Sequence, residues 1–404
     1  MTFDFEARHI IEALRSGIPS RSVGQYFSES RPQMIQEIVT HLDLVREEGL
    51  STGMIISGKY GEGKTHLLNT VFNLAQKNNM VVSTLSLSKE TPLDKLYLVY
   101  QKLVSNTYLP GRLQPGFSQE LSRLTPNGPL AKEMLLFAAK QLETDRLYYL
   151  LRSYLNTDDQ DEQFQLQTDL EGDFIANLQI KKIYRRIFQE KVNFNVNFVK
   201  TKHCQDYFTF LSHFFKQLGY NGWVILFDES ELMGRLSKQA RMKAYFNMAG
   251  FLFPRKQLES TFSMFAFSAS YSEDVIEAKG EFTNLASLYG ENLEPINSVL
   301  NAINQAPQLD PLTNEEIHEV LEKIIVFHGK AYNWQPQVQI ADIFKTVESG
   351  GYLLRSKIRT AIEYLDQLHL YGKVEKSTIA QLSRESFMED GTGEMPVLND
   401  LLDD

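Results

Sequence analysis

The sequence predicts an α/β fold in which a parallel sheet presents a phosphate-binding turn. Three observations lead there. Gly58-Lys59-Tyr60-Gly61-Glu62-Gly63-Lys64-Thr65 satisfies the pattern G-x-x-x-x-G-K-[ST] at every fixed position. The turn lies between the apolar run Met54-Ile55-Ile56, which reads as a buried strand, and a segment in which Leu67, Leu68, Val71, Phe72 and Ala75 recur at helical spacing. A second apolar run, Trp223-Val224-Ile225-Leu226-Phe227, ends in Asp228-Glu229 and reads as a strand capped by two carboxylates.

The residue types of the turn answer to the chemistry of a nucleotide polyphosphate. A turn that aims consecutive backbone N–H groups inward can surround such an anion. Gly58, Gly61 and Gly63 permit the backbone angles and the close approach this requires. Lys64 is expected to reach the β- and γ-phosphates, and the Thr65 hydroxyl to ligate Mg²⁺. Lys59, Tyr60, Glu62 and His66 complete the stretch expected to contact ATP. The helix that follows turns its N-terminus toward the phosphates. Asp228 is expected in the Mg²⁺ shell opposite Thr65, and Glu229 to polarise the attacking water. An acid-capped strand is common by itself; a complete phosphate-binding turn upstream is what gives this one its meaning.

Composition sets the class. The chain has 404 residues, 43% hydrophobic and 23% charged, so it holds ample core for two or three units. Its one cysteine, Cys204, excludes an internal disulfide framework and fits a reducing compartment. Met1-Thr2-Phe3-Asp4-Phe5 lacks the pattern of a signal peptide, and no apolar run approaches a membrane span. A cytoplasmic protein is expected. The net charge of −10 argues against general coating of nucleic acid, while leaving room for a local basic patch.

In chain order, Phe5, Ile10, Ile11 and Leu14 mark a helix over residues 5–16, stopped by Gly17. Ile18 to Val23 reads as a loop, and a helix follows from about Arg31 to Gly49. Met80 to Leu87 reads as a strand. Residues 91–220 are mostly helical in pattern, with turn clusters at Pro110-Gly111, Pro115-Gly116 and Pro126 to Pro129. Residues 157–163 are acidic and read as an exposed loop. Lys181, Lys182, Arg185, Arg186 and Lys191, with Tyr184 and Phe188 among them, admit two readings: a nucleic-acid contact, or a solvated helix face over packed aromatics. Residues 237–252 read as a helix and Thr261 to Ser270 as a strand, whose end places Ser268 or Ser270 within reach of a γ-phosphate. A polar stretch runs to about 306. Thr313 and Glu316 then form a capping box ahead of a helix carrying Ile317, Val320, Leu321, Ile324 and Ile325, with further helices at about 337–347 and 355–369. From Phe387 the chain is acidic with no basic residue, a flexible or partner-docking tail.

The segment Glu6-Ala7-Arg8-His9-Ile10-Ile11-Glu12-Ala13-Leu14-Arg15-Ser16-Gly17-Ile18-Pro19 resembles the opening of bacterial BREX-type ATP-binding proteins, P-loop ATPases of phage-defence islands related to AAA+ and STAND ATPases. The phosphate-binding turn, Phe227 to Glu231, Leu312 to Glu316 and Leu354 to Asp366 are similar as well. By these motifs the resemblance covers most of the chain except about 91–215 and the tail. It implies an AAA+-like αβα core with parallel strands in the order 5-1-4-3-2, and a helical or winged-helix lid. Expected boundaries are residues 1–50 for N-terminal helices on the core, 51–308 for the ATPase core with a helical insertion at about 91–215, 309–386 for the lid and 387–404 for the tail. The resemblance places Ile18 and Pro19 near the adenine and Arg359, or Arg355 one turn earlier, at the γ-phosphate. It also implies partners among other defence proteins and a possible homo-oligomer. One departure stands out. Between Ser270 and Glu316 there is no arginine to serve a neighbouring subunit, and Lys279 is the one basic residue; Arg235, Arg241 and Arg255 are the alternatives nearby.

Three functions compete: an ATPase, a nucleotide-gated switch with negligible turnover, and a DNA-associated module using the lid or residues 181–191. No methyltransferase, nuclease, protease or kinase constellation is present in the sequence.

Overall fold

The structure is a computed structural model that describes residues 4–17, 21–27, 30–254, 258–285, 293–348 and 353–374. Ile18, Pro19, Arg255 and the acidic tail lie outside the described residues. Two compact units form: Met1–Gln33 with Gly58–Asn73 and Gln308–Asp404, and Met34–Ser57 with Leu74–Pro307. Each is taken in turn.

The second unit contains the sheet. Its strands are β1 (Thr52–Gly58, continuing into the other unit at its last residue), β2 (Val81–Ser86), β3 (Thr107–Tyr108), β4 (Trp223–Asp228) and β5 (Thr261–Ser268), in the order β1-β5-β4-β2-β3. β2 and β5 run parallel to β4, with Leu85 beside Phe227 and Phe227 beside Phe265. β4 and β5 are buried at every residue but the last, as parallel strands covered on both faces are. The Phe227 and Phe265 rings stack at 4.2 Å. The four strands read from the sequence thus stand in the order 1-4-3-2. The fifth parallel strand is not among the described elements. Beside β1 the chain makes a backbone hydrogen bond, Ser57 N–H to Pro307 O at 3.0 Å. The other edge is closed by β3, which pairs antiparallel with β2. A polar chain runs across it: Trp223 Nε1 donates to Ser83 Oγ at 2.8 Å, Ser83 meets Thr107 Oγ1 at 2.6 Å, and Thr107 donates to Leu103 O at 3.0 Å. So β3, inside the stretch expected to be helical, consists of two strand residues whose hydroxyl partner lies on β2.

Three further expectations need correction. Residues Arg21–Tyr26 are helical, not loop, and belong to the first unit. The acidic stretch opens the helix Gln160–Thr168: the Asp159 side chain accepts from the N–H groups of Asp161 and Glu162, and acids are favourable at a helix start. The polar stretch before 306 contains the helix Glu294–Asn304, with Pro295 in its first turn and Ile296, Val299, Leu300 and Ile303 buried on one side.

The helices between β3 and β4 are organised around a buried ion pair. Arg146 and Asp169 are both fully buried. Arg146 donates through Nη1 and Nη2 to Asp169 at 2.8 and 2.6 Å, through Nη2 to Ile175 O at 2.6 Å and through Nε to Asn177 at 3.1 Å. Tyr207 Oη donates to Asp169 at 2.6 Å. Cys204 is buried beside this cluster, with its thiol pKa pushed up by burial.

In the first unit, the helix Phe5–Ser16 buries Ala7, Ile10, Ile11 and Leu14 in one core with Ile317, Leu321, Ile324, Ile362 and Leu365. Gly17 closes it at φ 68°. The N-terminal helix therefore shares its core with the C-terminal helices Asn314–Tyr332, Ile340–Glu348 and Leu354–Tyr371. The Thr313–Glu316 capping box is formed in full. Arg15 grips Asp366 at 2.8 and 2.9 Å, and Asp366 accepts from His328 Nε2 at 3.0 Å. The helix Pro32–Glu48 lies in the other unit from Met34 on.

Asp169→Ala should cost about 3–5 kcal/mol in urea unfolding, because it strands the Arg146 charge in the interior. Replacing the pair together, Arg146→Met with Asp169→Leu, should cost less than the single change; an equal or larger loss would show that the pair itself supplies the stability.

Candidate functional site

The turn at 58–65 belongs to the first unit. Gly61 and Gly63 hold left-handed φ values of 78° and 95°, where an L side chain is strained and glycine is not. These two bends bring successive N–H groups together ahead of the helix Lys64–Lys77. The residues fit a polyphosphate: a backbone cradle, a helix start, a lysine and a hydroxyl in Thr65.

A loop that commits N–H groups to one side must find donors for its carbonyls on the other. Lys64 Nζ donates to Gly58 O at 2.9 Å and Lys59 O at 3.3 Å. The Glu62 carboxylate accepts from Lys59 N–H at 2.8 Å, so Glu62 shapes the turn from within. Arg31 Nη2 donates to Glu62 O at 2.9 Å. The same guanidinium donates to Asp310 O from Nε at 3.2 Å and Nη2 at 2.9 Å. The Arg31 backbone N–H donates to Glu316 Oε1 at 2.7 Å. Burial lowers the Arg31 pKa, with Glu316, Glu62 and Asp310 opposing. Arg31 does all this at φ 58°, directly before Pro32, a conformation disfavoured for a non-glycine residue and doubly so before proline. Sequence reasoning missed Arg31. It lies outside the motif, and its one signal is an arginine beside a proline at a helix start.

The His66 ring has Nε2 2.9 Å from Phe27 O, so that nitrogen carries the proton. Burial lowers its pKa. It fastens the helix to the preceding chain, as do Asn73 Nδ2 donating to Arg21 O at 2.9 Å and the Arg21 guanidinium 4.2 Å above Phe72. Gly24 permits this contact: a Cβ there would lie 2.9 Å from the Asn69 backbone.

Arg355 and Arg359 differ. Arg355 reaches the turn: Nη1 donates to Tyr60 Oη at 3.0 Å, and the guanidinium lies 4.9 Å from the centre of that ring, which is 56% exposed. Arg359 donates to the last carbonyls of the first helix, Arg15 O at 3.1 Å and Ser16 O at 2.9 Å. It caps that helix against its dipole.

In the second unit, Asp228 ends β4 and its Oδ1 accepts from the Glu229 N–H at 2.9 Å. Glu229 has φ 54°. A left-handed glutamate costs about 1–2 kcal/mol, a strain that persists where the surroundings impose it. Ser268 ends β5, its Oγ 3.2 Å from Ser270 Oγ. Arg241 is buried, bonded to Glu281 and to Leu236 O, and serves packing. Arg235 is exposed. Among the described residues no group of three or more His, Cys, Asp or Glu gathers to hold a metal.

The basic stretch forms the helix Asn177–Phe188. Arg186 is tied to Glu162 and Asp158, Tyr184 is buried, and Arg152 lies over Phe188 at 4.3 Å. That arrangement favours the solvated face over a nucleic-acid contact. Among the described residues no helix is long and apolar enough to cross a membrane.

The chain matches the family described as BREX system ATP-binding protein BrxC/D over residues 4–116 and 146–383. The match takes in part of residues 91–215, which the resemblance left out, and omits 117–145. No curated protein matches. Among solved structures the chain is similar to the Walker-type ATPase PABY2304 of Pyrococcus abyssi, at 12% identity and TM-score 0.40, over 89% of this chain and 73% of that one. It is also similar to Cdc6p from Pyrobaculum aerophilum, at 10% identity and TM-score 0.40, over 88% and 66%.

Arg359→Ala should lower the unfolding free energy without nucleotide by about 1–2 kcal/mol, since two helix carbonyls lose charged donors. Arg355→Ala, which loses the exposed Tyr60 contact, should cost less than half as much. Equal losses in denaturant unfolding would mean that the two arginines do the same work.

Proposed function

This chain belongs to the family of BREX system ATP-binding proteins, and we propose that it binds MgATP at Gly58–Thr65 and hydrolyses it to control the assembly of defence-system partners. The observation that carries this reading is the turn itself, with left-handed Gly61 and Gly63 ahead of a helix and Lys64 held at the loop. Lys64 is assigned to the β- and γ-phosphates, where it would exchange two carbonyls for phosphate oxygens. Thr65 and Asp228 are assigned to Mg²⁺, which supplies charge neutralisation at the phosphates. Glu229 is assigned as the base that takes the proton of the attacking water as the bond to the leaving ADP breaks. Its strained backbone supports that assignment. Ser268 is a polar contact of the γ-phosphate. Arg355 is preferred over Arg359 as the arginine that reads the γ-phosphate, because it stands at Tyr60 while Arg359 is engaged with a helix end. A guanidinium can grip phosphate oxygens in a fixed bidentate way.

The runner-up is a switch that binds ATP without turnover, favoured by the lack of an arginine between Ser270 and Glu316.

Saturating MgATP at ~100 times Kd should stabilise the folded protein by roughly 2.7 kcal/mol. Lys64→Ala should abolish that shift. A melt unchanged by MgATP, on folded nucleotide-free protein, would overturn the reading.

Glu229→Gln should keep ATP affinity and slow steady-state hydrolysis at least tenfold. Wild-type protein that binds ATP and shows no turnover above Glu229→Gln would favour the switch.

A further inference from the structure

We propose that Arg31 is a positioning residue for phosphate binding: it fixes the Glu62–Gly63 peptide so that the Gly63 N–H is presented to a phosphate. The inference rests on the nucleotide reading above and names a residue that lies outside every motif of that reading.

The argument starts from the peptide plane. In a trans peptide the C=O and the following N–H point in opposite directions and turn together. Arg31 Nη2 holds Glu62 O at 2.9 Å. The Gly63 N–H is therefore set to the side away from Arg31. Gly63, at φ 95°, has no side chain to define its own orientation. A Cβ built on Gly63 would lie 3.7 Å from Arg31 Nη1, so the guanidinium covers that face of the turn.

Arg31 is itself held. Its guanidinium shares Asp310 O, and its backbone N–H is taken by Glu316 Oε1 at 2.7 Å. Glu316 is in turn fixed through Oε2 to the Thr313 N–H at 2.8 Å. The contact with the turn is thus braced from the start of the lid helix. The backbone of Arg31 is kept left-handed ahead of proline to make it. A planar guanidinium can hold two carbonyls at once in fixed directions; an ammonium on a flexible stem cannot do so equally well.

This geometry separates Arg31 from Arg355. The Gly63 N–H belongs to the part of the cradle that meets phosphates common to ATP and ADP. Losing its orientation weakens both nucleotides by one factor. Losing a γ-phosphate contact changes their ratio.

The test uses the full chain with Arg31→Gly and Arg31→Lys. Glycine accepts the left-handed backbone and retains the N–H to Glu316, so the fold is spared while the guanidinium is lost. Dissociation constants for MgATP and MgADP are measured by calorimetry, with thermal melts in the absence of nucleotide. Arg31→Gly is expected to raise both constants about tenfold or more with their ratio unchanged, and Arg31→Lys to fall between it and wild type. Hydrogen exchange of the peptide covering 58–65 should be faster in Arg31→Gly without nucleotide, with the sheet strands unaffected. Wild-type affinity in both variants overturns the inference, and so does a changed ATP to ADP ratio. Lost affinity with a uniformly lower melt and faster exchange throughout also overturns it, since Arg31 would then be structural only. If wild-type protein binds neither nucleotide, the reading of the site fails first, and that result is distinct from all of these.

Discussion

Backbone polarity in one eight-residue turn sets the terms for much of the first unit. Within residues 58–65 the carbonyls of Gly58, Lys59 and Glu62 take side-chain donors, since a turn's backbone acceptors require partners. Lys64 serves Gly58 and Lys59, and Arg31 serves Glu62. The Glu62 carboxylate closes the turn on the Lys59 N–H. A shape suited to an anion is therefore stable before any anion arrives. Its energetic cost is shared among Lys64, Glu62 and Arg31.

That requirement draws distant segments together. Arg31 also serves Asp310 O and is itself held by Glu316, both at the start of the C-terminal helices. The first helix enters the same core through Ile10, Ile11 and Leu14. Arg359 caps its end, and Arg15 reaches Asp366, which His328 also contacts. Trp334 Nε1 donates to His328 Nδ1 at 2.9 Å, which turns Nε2 toward Asp366. This core thus joins the helix at 5–16 to those at 314–371. A change at Tyr60 or Arg355 meets a helix whose next turn is bonded to the N-terminal helix.

The second unit shows the opposite economy. Its strands need little beyond apolar continuity, and Phe227 on Phe265 extends the packing to the residue before the carboxylates. The strain at Glu229 begins where that regular structure ends. The segment between β2 and β4 joins the sheet through the β3 edge and carries its own buried charge pair.

Periodicity and local chemistry were legible in the sequence wherever the deciding interactions lie within a few residues. The turn at 58–65, the strands at 81–86, 223–228 and 261–268, the Gly17 stop and the Thr313–Glu316 box all follow from spacing and residue type. Tertiary structure decided what depends on partners hundreds of positions away. No local pattern distinguishes Arg355 from Arg359 one turn on; what separates them is that one meets Tyr60 and the other the carbonyls of residues 15 and 16. The His66 ring sits in the motif yet answers to Phe27 O. The helix at 294–304 was masked by its polar face, and β3 by its two-residue length. Arg31 was invisible for the same reason. Its role lies in a carbonyl of the turn and a carboxylate 285 positions later, and only the folded chain brings those together.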